Sequence, residues 1–273
     1  MQNLSGKTAF ITGGASGIGL AMADAFAERG MRLVLADVNA AALDKAAARF
    51  RGRGTDVLTM TLDVTDRPAL AEAARKVEAF GKLHVVCANA GIPPSGAKVA
   101  ETEPEKWDRI IGINLTGVYN TVHYMLPLLR AHGEGGHVVI TSSMAGAVAA
   151  SPIGDYVVAK YGAVGFGEVM AWELKPENIG VSILLPGTVA TNLNAREDSA
   201  LSAGMDAGAV GRRVVEAMEK DELYIFTHAD YRPLVQARCD AVMAAFGTSA
   251  QPDFREPDQV VAMMCQNAYP PKR

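Results

Sequence analysis

The sequence predicts an α/β fold, a doubly wound and mainly seven-stranded parallel sheet with helices on both faces. Short apolar runs alternate with helix-period stretches, the order of repeated β–α units. Several runs are continuously apolar or nearly so, among them Leu33-Val34-Leu35-Ala36 and Val181-Ser182-Ile183-Leu184-Leu185, as strands covered on both faces are. The regularity of the alternation argues against a bundle or a closed barrel, and no internal repeat interrupts it.

Residues 8–12 form the first expected strand, and 18–29 a helix behind a glycine-rich turn. A second strand at 32–36 leads into a helix over 40–50, and a third at 57–62 into a helix over 67–80. Strands at 83–88 and 137–141 bracket a long helical stretch, 105–130. Helix 155–174 precedes a strand at 181–185, and helix 207–220 precedes the last, at 223–226. Three segments break the pattern: 92–103 with adjacent Pro93 and Pro94, the Ala/Ser-rich 188–206, and 251–273 with scattered Pro and charge. The first two follow strand carboxyl ends, where open α/β sheets bind ligands. The 273 residues are read as one domain, because single α/β domains reach roughly 250 residues. Within it, 188–206 is a candidate loop over the site and 227–273 a C-terminal extension.

Composition narrows the function. Hydrophobic residues make up 49% and charged residues 21%, ordinary for a globular chain and against extended disorder. The net charge of -4 and the lack of a Lys/Arg stripe exclude an expected nucleic-acid partner. No apolar stretch of about 18 residues points to a membrane span, and the first residues lack a signal-peptide layout. Cys87, Cys239 and Cys265 are scattered and odd in number, which fits a reducing cytoplasm better than a disulfide framework. His84, His123, His132, His137 and His228 show no metal-ligand spacing; structural roles are expected, with His228 near a strand end the one to watch.

The turn Thr12-Gly13-Gly14-Ala15-Ser16-Gly17-Ile18-Gly19 sits between the first strand and its helix. Glycines there allow a tight turn without Cβ atoms, so backbone can approach a pyrophosphate at a helix N-terminus. Asp37 ends the second strand, where a carboxylate accepts hydrogen bonds from adenosine ribose hydroxyls and repels a 2′-phosphate. No Lys or Arg lies within the glycine turn or immediately after Asp37 to neutralise such a phosphate. Asp63 either meets the adenine edge or serves as a helix N-cap. Tyr156 and Lys160 are four residues apart, on one face of a helix. A nearby ammonium is expected to lower the tyrosine's pKa from about 10, letting it exchange a proton near neutral pH. Ser143 ends the fifth strand, placed to hydrogen-bond an oxygen beside Tyr156. Asn114 lies mid-helix, where asparagine has no intrinsic preference; it either holds a water near Lys160 or kinks the helix.

These residues together resemble the short-chain dehydrogenase/reductase family over roughly residues 5–230. The resemblance rests on Thr12-Gly-x-x-x-Gly-x-Gly19, Asp37, Asp63, Asn89-Ala90-Gly91, Asn114, Ser143, Tyr156-x-x-x-Lys160 and Pro186-Gly187. The 13-residue interval from Ser143 to Tyr156 selects Ser143 rather than Ser142. The family implies a Rossmann-type fold, an NAD(H) cofactor, and hydride transfer between nicotinamide and an alcohol or ketone. It implies Tyr156 as acid–base, Lys160 as its partner on the nicotinamide ribose, Ser143 orienting the substrate oxygen, and Asn114 completing a proton relay. Cofactor contacts follow at Gly13, Ser16, Gly17, Ile18, Gly19, Asp37, Asp63, Val64, Asn89, Ala90, Gly91, Pro186, Gly187, Val189 and Thr191. A homodimer or homotetramer is also implied. The chain departs from the family in Val158-Ala159 before Lys160 and in Ala88 before Asn89. Its segment 222–228 is similar to bacterial members that include dehydrogenases of lignin-derived aryl alcohols. An enoyl reductase of similar architecture would use a wider Tyr-to-Lys interval, and a scaffold without chemistry would have lost a reacting residue. The expected pocket walls are apolar: Ile92, Pro93, Pro94, Met144, Val148, Ile153, Val189 and Leu193, with Lys98 and Arg196 farther out. A hydrophobic, uncharged secondary alcohol or ketone is the expected substrate.

Overall fold

A computed structural model describes residues 3–191, 204–249 and 257–260. Leu193, Arg196, Cys265 and most of 188–206 lie outside them, as does 251–273 apart from 257–260. Seven strands pair in parallel in the order β3-β2-β1-β4-β5-β6-β7. They are β1 Thr8–Thr12, β2 Arg32–Asp37, β3 Val57–Thr61, β4 Val85–Ala88, β5 Gly136–Thr141, β6 Ile179–Leu185 and β7 Tyr224–Phe226. The α/β sheet expected from the sequence is therefore present, each strand within a residue or two of its expected bounds. Chain order reverses between β1 and β4, so their carboxyl ends flank the crevice that such a switch point leaves.

The helices are α1 Gly17–Glu28, α2 Ala40–Arg51, α3 Arg67–Phe80, α4 Pro104–Ile111, α5 Gly117–Ala131, α6 Gly154–Leu174, α7 Ala207–Glu219 and α8 Arg232–Ser249. Alternate strand residues divide them into two layers. Ile11, Leu33 and Leu35 pack with Met22 and Phe26 of α1, Phe50 of α2 and Val214 of α7. Phe10, Val34 and Val138 pack on the opposite face with Leu70 of α3, Met125 of α5 and Met170 of α6.

Two elements differ from expectation. The stretch 105–130 is not one helix but α4 and α5 joined by a π turn, Gly112–Thr116. Such a turn carries an extra residue and redirects the side chains inside it. Here it buries Asn114, whose amide bonds to the Ile92 backbone on a neighbouring loop. The C-terminal extension also contains a helix, α8. Its alanines favour helix, yet Leu234, Val242, Met243 and Phe246 remain exposed, so no buried apolar stripe marks it in the sequence.

The small residues of α6 split between two faces. Gly167 lies against the sheet, where a Cβ would come within 2.6 Å of Ile183 Cγ1, whereas Gly165 is exposed with nothing within 4 Å. Gly167→Ala should therefore destabilise the fold by about 1–3 kcal/mol through overpacking. Gly165→Ala should stabilise it by up to about 1 kcal/mol through helix propensity. Denaturant unfolding of the two variants checks the opposite signs.

Candidate active site

After β1 the chain turns through Gly13 (φ +65°) and Gly17 (φ +52°), the left-handed region that favours glycine. Gly19 has no space for a side chain, because a Cβ would lie 2.1 Å from the Gly13 carbonyl oxygen. Ser16 begins α1 without a capping hydrogen bond, and no acidic residue lies in the first turn. Asn39, Asp66 and Asp206 do cap α2, α3 and α7. The first amides of α1 are thus left without a capping side chain at the edge of a cavity lined by Ser16, Gly17 and Ile18.

Asp37 is fixed at the end of β2 by two backbone donors, Ala15 N at 3.2 Å and Asn39 N at 3.0 Å. Asp63 accepts from Thr65 N and Thr65 Oγ1, both at 2.8 Å. It is not the helix N-cap; Asp66 caps α3 by accepting from Ala69 N. Asp37, Asp63 and Val64 line the same cavity as Gly13 and Ser16.

Thr12 joins the glycine turn to β4. Its hydroxyl donates to the Cys87 carbonyl and accepts from Asn89 N and Ala90 N. Asn89 Nδ2 returns a bond to the Thr12 carbonyl, and Asn89 Oδ1 accepts from Thr141 Oγ1 of β5. Gly91 lets Asn114 close in, since a Cβ there would meet Asn114 Oδ1 at 2.7 Å and Lys160 Nζ at 3.7 Å. Both polar atoms of the Asn114 side chain are engaged with the Ile92 backbone at 3.1 Å.

Ser143 follows β5, and Tyr156 and Lys160 stand in the first turns of α6. Lys160 is 2% exposed; its Nζ donates to the Thr141 carbonyl at 3.0 Å and lies 5.4 Å from the Tyr156 ring centroid. Burial lowers its pKa from 10.5 to about 8. Burial also pushes the Tyr156 phenol from 10.0 up to about 12, against a hydrogen bond from Ser143 that lowers it. The expected depression of the phenol is thus not produced by the chain's own groups. Lys160 directs one of its N–H groups to the Thr141 carbonyl and makes no hydrogen bond to the phenol. The neighbouring Ser142 hydroxyl is instead committed to the Lys160 carbonyl, to which it donates.

Sequence reasoning missed Asp155. Its buried carboxylate accepts from Ser95 N at 3.2 Å and Tyr156 N at 2.7 Å, tying the loop after β4 to the head of α6. A carboxylate beside a tyrosine carries no sequence signal for this link.

A cavity of about 1010 Å³ joins these groups. Ala90, Gly91, Asn114, Ser143, Tyr156 and Lys160 line it, as do Pro186, Gly187, Val189 and Thr191. Thr191 reaches the glycine turn, where a Cβ on Gly17 would meet its Cγ2 at 3.2 Å. Gly19 supports the turn from behind rather than lining the cavity. Of the expected walls, Ile92, Pro94, Met144, Val148, Ile153 and Val189 are in place, while Pro93 lines a smaller hollow beside Lys106 and Arg109. Tyr231, Leu234 and Arg109 complete the wall without having been foreseen. The two C-terminal residues arrive only through tertiary folding.

Elsewhere, His84, His132 and Glu134 bring ligand-type atoms within 4.8 Å of one another, a grouping hidden from sequence spacing. Both imidazoles are already engaged. His84 Nδ1 accepts from Thr8 N and His132 Nδ1 from Glu134 N, each at 3.2 Å. Neutral rings of that kind carry the proton on Nε2, which in His132 donates to the Leu83 carbonyl.

The depressed Lys160 pKa has a stability consequence. Between about 8 and 10.5 the unfolded chain holds the extra proton, so stability rises with pH across that window. Lys160→Met should remove this part of the rise. Urea unfolding of both proteins at a series of pH values reads the difference.

Residues 7–202 match the model of a family described as short chain dehydrogenase. Over 194 residues the chain is 37% identical to a C alpha-dehydrogenase of Sphingobium sp. strain SYK-6, covering 71% of this chain and 64% of that protein. The match therefore spans slightly less than two thirds of that relative. A 2,5-dichloro-2,5-cyclohexadiene-1,4-diol dehydrogenase of Sphingobium indicum is 31% identical over 249 residues, 90% of this chain and 99% of its own. A short chain dehydrogenase/reductase from Burkholderia phymatum, crystallised with NAD, superposes with a TM-score of 0.85 at 28% identity, over 94% of this chain and 100% of that one. The chain belongs to the short-chain dehydrogenase/reductase family of oxidoreductases.

Proposed function

We propose that this oxidoreductase is an NAD-dependent alcohol dehydrogenase and ketone reductase acting on a hydrophobic, uncharged secondary alcohol. The observation that carries the reading is one cavity shared by Tyr156, Ser143 and Lys160 and by the glycine turn with Asp37. The residues suit a dinucleotide. Gly13, Gly17 and Gly19 with the uncapped start of α1, including Ser16 and Ile18, suit a pyrophosphate. Asp37 would take the adenosine ribose, and Asp63 and Val64 the adenine. Asn89, Ala90 and Gly91 would lie beneath the cofactor, with Pro186, Gly187, Val189 and Thr191 around the nicotinamide. Bound NAD supplies the hydride acceptor and, when oxidised, a positive charge.

The chain's own part is proton transfer and orientation. Tyr156, neutral at pH 7, gives a proton to a ketone oxygen that Ser143 orients. Taking a proton from an alcohol requires a stabilised phenolate, to which the Ser143 hydrogen bond and the Lys160 ammonium contribute. Lys160 would also bind the nicotinamide ribose, and Asn114 beside it would complete the path to solvent. In this reading the chain is one catalytic domain whose 188–206 loop serves the substrate. It works in the cytoplasm, as the three scattered cysteines suggest, as a homodimer or homotetramer. The apolar Tyr119, Val158, Val169 and Trp172 exposed on α5 and α6 support self-association. No helix among the described residues is long and apolar enough to cross a membrane.

Three outcomes test the reading. Tyr156→Phe should keep NADH binding while turnover falls by about 10²-fold or more; comparable turnover in the variant would refute the assignment. NAD should be preferred to NADP by about 10²-fold or more, since an uncompensated Asp37 beside a 2′-phosphate costs several kcal/mol, and Asp37→Ser should narrow that gap in kcat/KM. For the substrate, Met144, Val148, Ile153 and Leu234 offer apolar contact, and the Sphingobium indicum relative is named for an uncharged ring diol. A panel of hydrophobic alcohols, polyols and anionic hydroxy acids, followed by NADH absorbance, should favour the first class. Preference for anions would instead direct attention to Arg109.

A further inference from the structure

Past the end of β7, the chain folds back onto the stretch that follows β6. His228 Nδ1 lies 3.2 Å from the Gly187 amide, which donates to it, and Nε2 lies 3.1 Å from the Thr188 carbonyl. A ring accepting at Nδ1 is, when neutral, protonated at Nε2, so it donates to Thr188. Thr227 Oγ1 also sits 2.7 Å from Nδ1. Gly187 is required by this packing, since a Cβ there would come within 2.8 Å of the His228 Cγ. The Thr188 carbonyl accepts a second bond from Met205 N at 2.9 Å, and Ala190 N donates to the Met205 carbonyl at 3.0 Å. The imidazole thus secures the backbone where the chain leaves β6, and the Thr188 carbonyl it holds is shared with Met205, where the chain comes back.

The turn it holds belongs to the reactive end of the cavity. Met144 N, next to Ser143, donates to the Pro186 carbonyl at 2.9 Å. On the other side of the ring, Tyr231 meets His228 edge-on, with centroids 6.1 Å apart at 82°, and Tyr231 lines the cavity. Two hydrogen bonds of opposite sense, to the peptide groups on either side of the one joining Gly187 to Thr188, define both the height and the tilt of that turn. A side chain that merely filled space would define neither.

We propose that His228 is a positioning residue for the nicotinamide end of the cofactor, holding the Pro186-Gly187-Thr188 turn in register with Ser143 and Tyr156. It does not line the cavity itself, and acts through the Gly187 and Thr188 backbone, which does. The proposal rests on the dinucleotide reading above. It separates the two ends of the cofactor, because Asp37 and the glycine turn hold the adenosine half without help from β7.

The test compares NADH, followed by its fluorescence, with ADP-ribose, which lacks the nicotinamide, in calorimetric titrations of the parent chain and of His228→Ala, His228→Asn and His228→Gln. The Asn oxygen can replace Nδ1 as acceptor for Gly187, and the longer Gln amide can replace Nε2 as donor to Thr188. His228→Ala should weaken NADH by about tenfold or more, the scale of a lost buried hydrogen bond, while ADP-ribose stays within about twofold. The Asn and Gln variants should each recover part of the NADH affinity, and they show the same split should the Ala variant fail to fold. Equal weakening of both ligands, or no weakening of either, overturns the role of His228. A parent chain that binds neither ligand overturns the dinucleotide reading, and this proposal with it.

Discussion

The Thr12 hydroxyl holds together the two strands between which the site opens. It donates to Cys87 and accepts from Asn89 and Ala90, so the carboxyl ends of β1 and β4 are locked at the point where the strand order reverses. Asn89 extends the lock to β5 through Thr141, whose carbonyl in turn accepts from Lys160. A single run of hydrogen bonds therefore passes from the glycine turn to the ammonium beside Tyr156. Thr12, Cys87, Thr141 and Lys160 are buried, so leaving one of their polar groups unpaired would cost about 1–3 kcal/mol, and the geometry of both ends of the cavity is correspondingly over-determined. The missing Cβ atoms at Gly13, Gly19 and Gly91 belong to the same constraint, since a methyl at any of them would intrude on Asn89, on the turn or on Asn114.

Burial at the reacting end works against ionisation. Lys160 is pushed toward neutrality and Tyr156 toward its protonated form. The chain accepts a cost in stability there to keep a proton donor in place, the usual exchange between a stable core and a poised site. Asp155 shows how the neighbourhood is kept rigid despite that cost. Its two backbone hydrogen bonds join the loop after β4 to the head of α6, one residue from the phenol.

Much of this was readable in the sequence because it is local. Glycine spacing, an acid at a strand end and a Tyr-to-Lys interval are short-range patterns, and all of them arrive in one cavity. Strand bounds were accurate because continuous apolar runs mark doubly covered strands. What failed was long-range or depended on hydrogen-bond registry. Asn114 stood out as a misfit, but a π turn has no periodicity distinct enough to announce itself. Asp63 and Asp66 both look like caps, and only the direction of the following amides decides for Asp66. Tyr231 and Leu234 reach the cavity from a segment distant in sequence. The upward shift of Tyr156 follows from burial depth, which residue spacing does not encode.

The entry of α8 into the cavity wall divides the molecule's labour along the chain. Every reacting group lies between Ser143 and Lys160, yet part of the wall around them is contributed by Tyr231, just before α8, and by Leu234 in the first turn of that largely exposed helix. Residues on such a helix have few neighbours to satisfy, so they can change with little penalty to folding. Part of the cavity wall is thus written on a stretch of polypeptide separate from the chemistry, the rest lying at Met144, Val148 and Ile153 among the reacting groups. A lineage, or a laboratory library, can therefore explore new substrates by editing the tail while the proton-transfer apparatus is inherited intact.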